Sequence, residues 1–223
     1  MVDMVIRACR PDDRAMLASL FQRVGEGSPL PTLWGHAPSE ADIYLFPYLD
    51  HESGSLLIAE LDGRPVGYLA GCVDSAAFPS EDLRFERAVR SHRLFTRPRA
   101  LAFFARAGWN TLGAKLRRIP TAGELHDDRW PSHLHINVEP SARGTGAAQA
   151  LMDSWLERLA AAGSPGCYLQ TLRENQRATA FFVHQGFVAY GGAVLVPGVR
   201  YLHRQVHQVT MVRPAPGTPT AAD

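Results

Sequence analysis

The order of apolar runs, glycine turns and amphipathic stretches predicts an α/β fold. Three observations carry that prediction. Two apolar runs, Ser55 to Leu61 and Arg64 to Val73, flank Asp62-Gly63, a hairpin dipeptide whose glycine has a positional reason. A third run, His133-Leu134-His135-Ile136-Asn137-Val138, passes through Glu139-Pro140-Ser141-Ala142 into the glycine turn Arg143-Gly144-Thr145-Gly146-Ala147-Ala148. The stretch that follows has helical period: Leu151, Met152, Trp155, Leu156 and Leu159 share one face, Asp153, Ser154, Glu157 and Arg158 the other, and Gly163 is a stop signal.

The remaining elements follow in chain order. Met4 to Ala8 reads as a first strand, and Arg10-Pro11-Asp12-Asp13 opens a helix carrying Met16, Leu17, Leu20 and Phe21. Between Arg84 and Arg118 there are ten basic residues against the single acid Glu86, with Phe103, Phe104, Trp109 and Leu112 as an apolar side. An unstructured loop of that length is improbable, so residues 78–130 read as an insert of one or two helices. Its plain reading is a solvated helical face over an extra patch of core. It could also help hold cofactor phosphates, attract an anionic acceptor or line a partner interface. The strand Cys167 to Thr171 and the late runs Val194-Leu195-Val196 and Val206 to Val212 complete the sheet, and Pro214 to Asp223 read as a disordered tail behind a single domain over 1–213.

Strand, glycine turn and helix in that order build an anion cradle. The glycines let successive N–H groups face one ligand, and the helix that starts near Gly146 adds its positive end. A pyrophosphate suits such a site; a bare structural turn is the competing reading. A nucleotide-hydrolysing loop is set aside because Ala147 and Ala148 stand where Lys and Ser or Thr would be needed. A dinucleotide fingerprint fails too, since the next strand ends in Gln170 and Thr171 rather than an acid.

What these residues resemble is the coenzyme A cradle of the GNAT superfamily of N-acetyltransferases, whose pattern is Arg or Gln, two residues, Gly, one residue, then Gly or Ala: here Arg143, Gly146 and Ala148. The second cofactor-side segment of that superfamily is matched by the strand Cys167 to Thr171, then Asn175, Ala178, Ala180, Phe181, Phe182 and Gly186-Phe187. The likeness is tight after His133 and looser before Ser55. More narrowly, Tyr44-Leu45-Phe46-Pro47-Tyr48-Leu49, Asp74 with Phe78, and Pro131 to Ile136 look like bacterial members akin to the acetyltransferase-like domain of O-GlcNAcases, a likeness that names no substrate.

The resemblance implies a mixed, mostly antiparallel central sheet flanked by helices, with a V-shaped opening between its two central strands and the basic insert between the third and fourth. It implies acetyl-CoA as co-substrate and direct acetyl transfer to a primary amine in a ternary complex. Coenzyme A would lie against Ile136, Asn137 and Val138 and over Arg143, Gly144 and Thr145. Gly146, Ala147 and Ala148 would continue the cradle, with Asn175, Ala178 and Phe182 from the second segment and a main-chain N–H at or near Val138 for the thioester oxygen. The acceptor would meet the first helices, the segment Ser28 to Asp50 and the insert.

An amine with a pKa of about 10.4 is almost wholly protonated at neutral pH, so a base or desolvation must help. His133, His135 and Glu139 alternate on one strand face, and His135 is the candidate base; a hydrogen-bonded strand histidine is the competing reading for each. The three do not make a convincing zinc set, and no metal is expected. Phe182 stands where many relatives carry a tyrosine that protonates the departing thiolate. A thiol of pKa near 8.5 is a fair leaving group without help, and Tyr190, His184 or water are the substitutes. The loss keeps alive a second reading, an acyl-CoA-binding sensor or structural module with little turnover. A third, an interaction protein using the basic insert, predicts binding that weakens with salt.

Cys9, Cys72 and Cys167 are odd in number, far apart and set in apolar runs, which suits reduced core thiols. With a formal charge of only +1 and no nucleic-acid motif, no nucleic-acid partner is expected. No apolar span is long enough to cross a bilayer and no secretion signal is read, so the expectation is a cytoplasmic protein that meets a small-molecule or peptide amine, and whether it pairs as a homodimer through its last strands is left open by the sequence.

Overall fold

A computed structural model describes residues 3–25 and 32–215. The chain runs β1 (Met4–Ala8), α1 (Arg14–Gly25), α2 (Ala37–Tyr44), α3 (Phe46–His51), β2 (Leu56–Leu61) and β3 (Arg64–Cys72). The insert supplies α4 (Glu81–Ser91) and α5 (Pro98–Leu116). Then come β4 (Ser132–Val138), α6 (Ala147–Ala161), β5 (Gly166–Leu172), α7 (Gln176–His184), β6 (Val188–Tyr201) and β7 (Arg204–Pro214). The seven strands form one sheet in the order β1-β2-β3-β4-β5-β7-β6. Every neighbouring pair is antiparallel except β4 and β5.

Side-chain alternation buries both faces of the central strands. On one face Leu69, Leu134 and Leu169 pack beneath Leu151, Met152, Trp155 and Leu159 of α6, with Leu156 partly buried beside them. Gly71 makes that approach possible, because a Cβ there would lie 2.3 Å from the indole of Trp155. On the other face Ile58, Tyr68 and Cys72 meet Leu17 and Leu20 of α1 and Leu45 and Tyr48 at the start of α3 and its approach. The three thiols are buried and unpaired, and burial pushes each up to about 12.

The insert is two helices with a core of its own, built on Trp34, Ile43, Ala88, Leu94 and Phe103 against Val199 and Val206. Its four apolar residues do not share one side. Phe103 and Phe104 pack around Trp34 at 5.5 and 6.0 Å between ring centroids, whereas Trp109 is 73% exposed and Leu112 50%. Nine residues are two and a half turns at about 3.6 residues per turn, which sets Leu112 opposite Phe103. Arg84 departs from the solvated-face reading as well: it is buried and reaches Ile43 O (2.6 Å), Pro79 O (2.9 Å) and Glu124 (2.9 Å).

At the C-terminus, Pro214 belongs to β7, paired with Gly166, and the Ala215 N–H donates to Pro165 O (2.8 Å), so order continues two residues past the expected tail boundary. The rest of that tail, and the first residues of the Ser28 to Asp50 segment, lie outside the described residues. Among the described residues no helix is long and apolar enough to cross a membrane.

Candidate functional site

The parallel strands β4 and β5 run side by side at only two positions, Ser132 with Cys167 and His133 with Tyr168, and then separate. Beyond that vertex the edge of β4 is open. The Glu139 N–H donates to Val66 O on the β3 side (2.8 Å), so by strand alternation the N–H groups of Val138 and Ile136 turn toward the opening. A cleft of about 490 Å³ occupies it.

The cleft gathers nearly all of the residues expected to meet coenzyme A. Ile136, Asn137 and Val138 form one side, and Arg143, Gly144, Gly146, Ala147 and Ala148 form the end. Asn175, Ala178 and Phe182 form the other side. Gly144 and Gly146 adopt φ of +80° and +90°, a region costly for any residue with a Cβ. Space is not the constraint there, since a Cβ on Gly144 would touch nothing and one on Gly146 would meet only Met4 at 3.7 Å. Gly146 is the N-cap of α6, and the amides of a first helical turn have no partner within the helix. Ala147 and Ala148 line the cleft with the positive end of the helix behind them, the Ala147 N–H donating to Thr145 Oγ1 at 3.4 Å.

Thr145 is the exception, because its hydroxyl turns back to donate to Ala142 O (2.7 Å) and so braces the turn instead of lining the cleft. Val24, Ala142, Gln149 and Arg177 line it without having been singled out by sequence, and so does Phe181, which was matched within the second segment but given no cofactor contact. Arg177 could have been found: it sits in the first turn of α7, two residues after Asn175, which caps that helix by accepting from the Ala178 N–H (3.3 Å). Burial lowers the pKa of Arg143, and the neighbouring charge of Arg177 lowers it further.

Of the three alternating candidates for a base, Glu139 is an anchor. Its buried carboxylate accepts from Arg23 of α1, Arg64 of β3 (2.7 Å) and Ser141 (3.2 Å), which pins the cradle turn to two other elements. His133 is occupied at both ring nitrogens, by the Tyr48 hydroxyl (2.8 Å) and Ser75 Oγ (2.6 Å), and burial with the neighbouring His135 pushes it down to about 3. His135 lies on the face of β4 away from α6 and borders a second, smaller cavity of about 40 Å³ with Tyr44, Glu81, Arg84, Glu124 and Tyr168. Burial, with Arg84 nearby, pushes it down to about 4, so it is neutral at physiological pH.

Phe182 is buried, packs on Phe187 at 5.9 Å between centroids and contributes to the cleft wall. Neither substitute acid is on that wall. The Tyr190 hydroxyl is held by Asp127 (2.9 Å) and Arg129 (2.6 Å), and His184 is exposed at the end of α7.

Residues 116–189 match the family model described as an acetyltransferase (GNAT) domain, a span that contains β4, the cradle, α6, β5 and α7. The fold resembles the crystal structure of SsHAT, with 21% identity over 96% of this chain and 98% of that one and a TM-score of 0.59. It resembles the yncA protein of Salmonella typhimurium, solved with its cofactor acetyl-CoA, at 13% identity, 98% and 99% coverage and a TM-score of 0.57. A ribosomal-protein-alanine N-acetyltransferase from Brucella melitensis aligns at 16% identity over 94% and 99%, with a TM-score of 0.56.

Proposed function

We propose that this chain, a member of the GNAT superfamily by its fold and by the acetyltransferase domain matched over residues 116–189, is an acetyl-CoA-dependent N-acetyltransferase acting on a primary amine in a ternary complex. The observation that carries this reading is the fork. A parallel pair that separates after two residue pairs leaves strand amides unpaired along an elongated cleft, and the cleft ends on an amide cradle with two arginines beside it. An extended, polyanionic thioester fits that shape and charge. The pyrophosphate would take the amides of Gly144, Gly146 and Ala148 with Arg143 and Arg177 beside them, the pantetheine arm would follow β4 past Asn175, and Val138 or Ile136 would donate its N–H to the thioester oxygen.

The acceptor comes from the other face of the fork, where His135 and the small cavity lie. Attack of the neutral amine on the carbonyl carbon breaks the C–S bond, and the proton lost from nitrogen ends on the coenzyme thiol. A histidine held near 4 does not store a positive charge, so His135 serves as a neutral hydrogen-bond acceptor that aligns the amine. Calorimetric titration with acetyl-CoA, followed by thiol release against a panel of amines, tests the proposal: saturable binding with acceptor-dependent release is expected, and no binding would overturn it. Phe182 on the cleft wall, with Tyr190 and His184 off it, favours one second reading, an acyl-CoA-binding module of little turnover. Binding without release for any amine would establish that one.

A further inference from the structure

The small cavity sits at the vertex of the fork, on the face opposite α6. Its floor is β4 and β5 at and just past their last pair, His133 with Tyr168, and its walls are Tyr44 at the end of α2, Glu81 and Arg84 on α4, and Glu124 in the link that leads into β4. Two of its three charged groups cancel. Arg84 donates to Glu124 at 2.9 Å and to two main-chain carbonyls, and Glu124 also accepts the Glu81 N–H at 2.9 Å, which ties the start of α4 to the link.

Glu81 is left over. Among the described residues its carboxylate accepts one hydrogen bond, from the Tyr44 hydroxyl, and that bond is long at 3.2 Å. The histidines of β4 add no positive charge, since both are held neutral. Burial raises the pKa of Glu81 even against the pull of Arg84, and a cation beside the carboxylate would offset that cost.

The size of the cavity narrows the cation. A single water needs about 10–15 Å³ on this scale, so about 40 Å³ holds roughly three such centres. The end of an unbranched alkylammonium, one nitrogen on a methylene chain, fits. An α-amine with a side chain and a peptide group on its carbon, or an amine on a sugar ring, brings more atoms than the space accepts.

We propose that Glu81 holds the ammonium end of an unhindered primary alkylamine, of the kind found on a lysine side chain or a linear diamine, and places it at the fork for transfer once the ammonium has passed one proton to the Glu81 carboxylate and become the neutral nucleophile. The proposal rests on the transferase reading for the transfer but not for the binding. It also gives the insert a role, since α4 and the link into β4 build the acceptor end that a sheet with a short connection would leave open.

The test is calorimetric titration of cadaverine, Nα-acetyl-lysine amide, glucosamine and an alanine-first tripeptide into the full chain saturated with coenzyme A, with thiol release from acetyl-CoA measured on the same four. Cadaverine and the lysine derivative are expected to bind and the other two to fail. Glu81→Gln, isosteric and uncharged, should weaken amine binding by about tenfold or more, the size of a charge-assisted bond. Coenzyme A affinity and melting temperature should hold, and Glu81→Asp should restore part of the loss. An unchanged amine affinity in Glu81→Gln, or preference for glucosamine or the tripeptide, would overturn the proposal. Glu81-dependent binding without thiol release would support it while overturning the transferase reading, and release confined to the tripeptide would do the reverse.

Discussion

The two sides of the β4–β5 fork are built in different ways. The coenzyme cleft is assembled from contiguous residues, chiefly main-chain amides and small side chains between Ile136 and Ala148, with α7 as its second wall. The cavity proposed for the acceptor is assembled from side chains at positions 44, 81, 84, 124, 135 and 168, drawn from helices, a link and two strands. A cradle of amides must use glycine at left-handed positions and must precede a helix, so it leaves a local signature. A cavity of side chains leaves none, because its members meet only after the insert has folded over the sheet.

That difference explains what was legible. The hairpin, β4, the cradle and α6 could be read from period and spacing, because local backbone rules decide them, and the segment from β5 to Phe187 could be read from the family resemblance. What escaped depended on packing. Trp109 and Leu112 belong to the apolar content of α5, but only its packing against β6 and Trp34 decides which side faces inward. Glu139 shares an alternation with two histidines, yet Arg23 and Arg64 arrive from α1 and β3 and make it an anchor. Arg84 is one of ten basic residues in its block, and its burial beside Glu124 has no sequence mark.

The largest effect that would break the comparison is at the cradle. Gly146→Asp places a Cβ at φ +90° and a carboxylate where a phosphate would sit. At an effective dielectric near 20 and about 5 Å, that repulsion is roughly 3 kcal/mol, or on the order of 100-fold in affinity. The expected outcome is loss of coenzyme A binding with amine binding at the other face retained. If the variant folds and binds coenzyme A as the parent does, the pyrophosphate assignment is wrong.

On the acceptor side the effects should be smaller, because no single side chain builds the cavity. His135→Ala should lower turnover at neutral pH by about tenfold, the size of one aligning hydrogen bond, with coenzyme affinity intact. Unchanged turnover would remove His135 from the mechanism. The two β4 histidines also make the acceptor face the acid-sensitive one. Held at about 3 and about 4, they stay neutral while their unfolded counterparts, near 6.5, take up protons as the pH falls. The unfolded state therefore gains protons first, and stability is lost between about pH 6.5 and 4 at up to about 1.4 kcal/mol per pH unit for each histidine. Urea midpoints at pH 7 and pH 5 should differ accordingly, and His135→Gln should flatten the dependence; equal midpoints in the parent would show that these sites are wetter than the structure has them.

The smallest expected effect lies at the boundary between the two regions. Phe182→Tyr would add a phenol beside the cleft, and two consequences compete. A donor near the departing sulfur would favour thiolate loss, but a thiol of pKa near 8.5 leaves well unaided, so the gain should be only about two- to threefold in thiol release. Against it, the ring is 7% exposed and packed on Phe187, so a hydroxyl that fails to reach the cleft is buried without a partner at about 1–3 kcal/mol. Faster release with little change in melting temperature would mean that the phenol reaches the cleft and that the chain is a transferase working without its acid. A lower melting temperature with release unchanged would mean that this wall is core first and cofactor surface second, which would shift the weight toward the module that binds an acyl thioester and seldom turns it over.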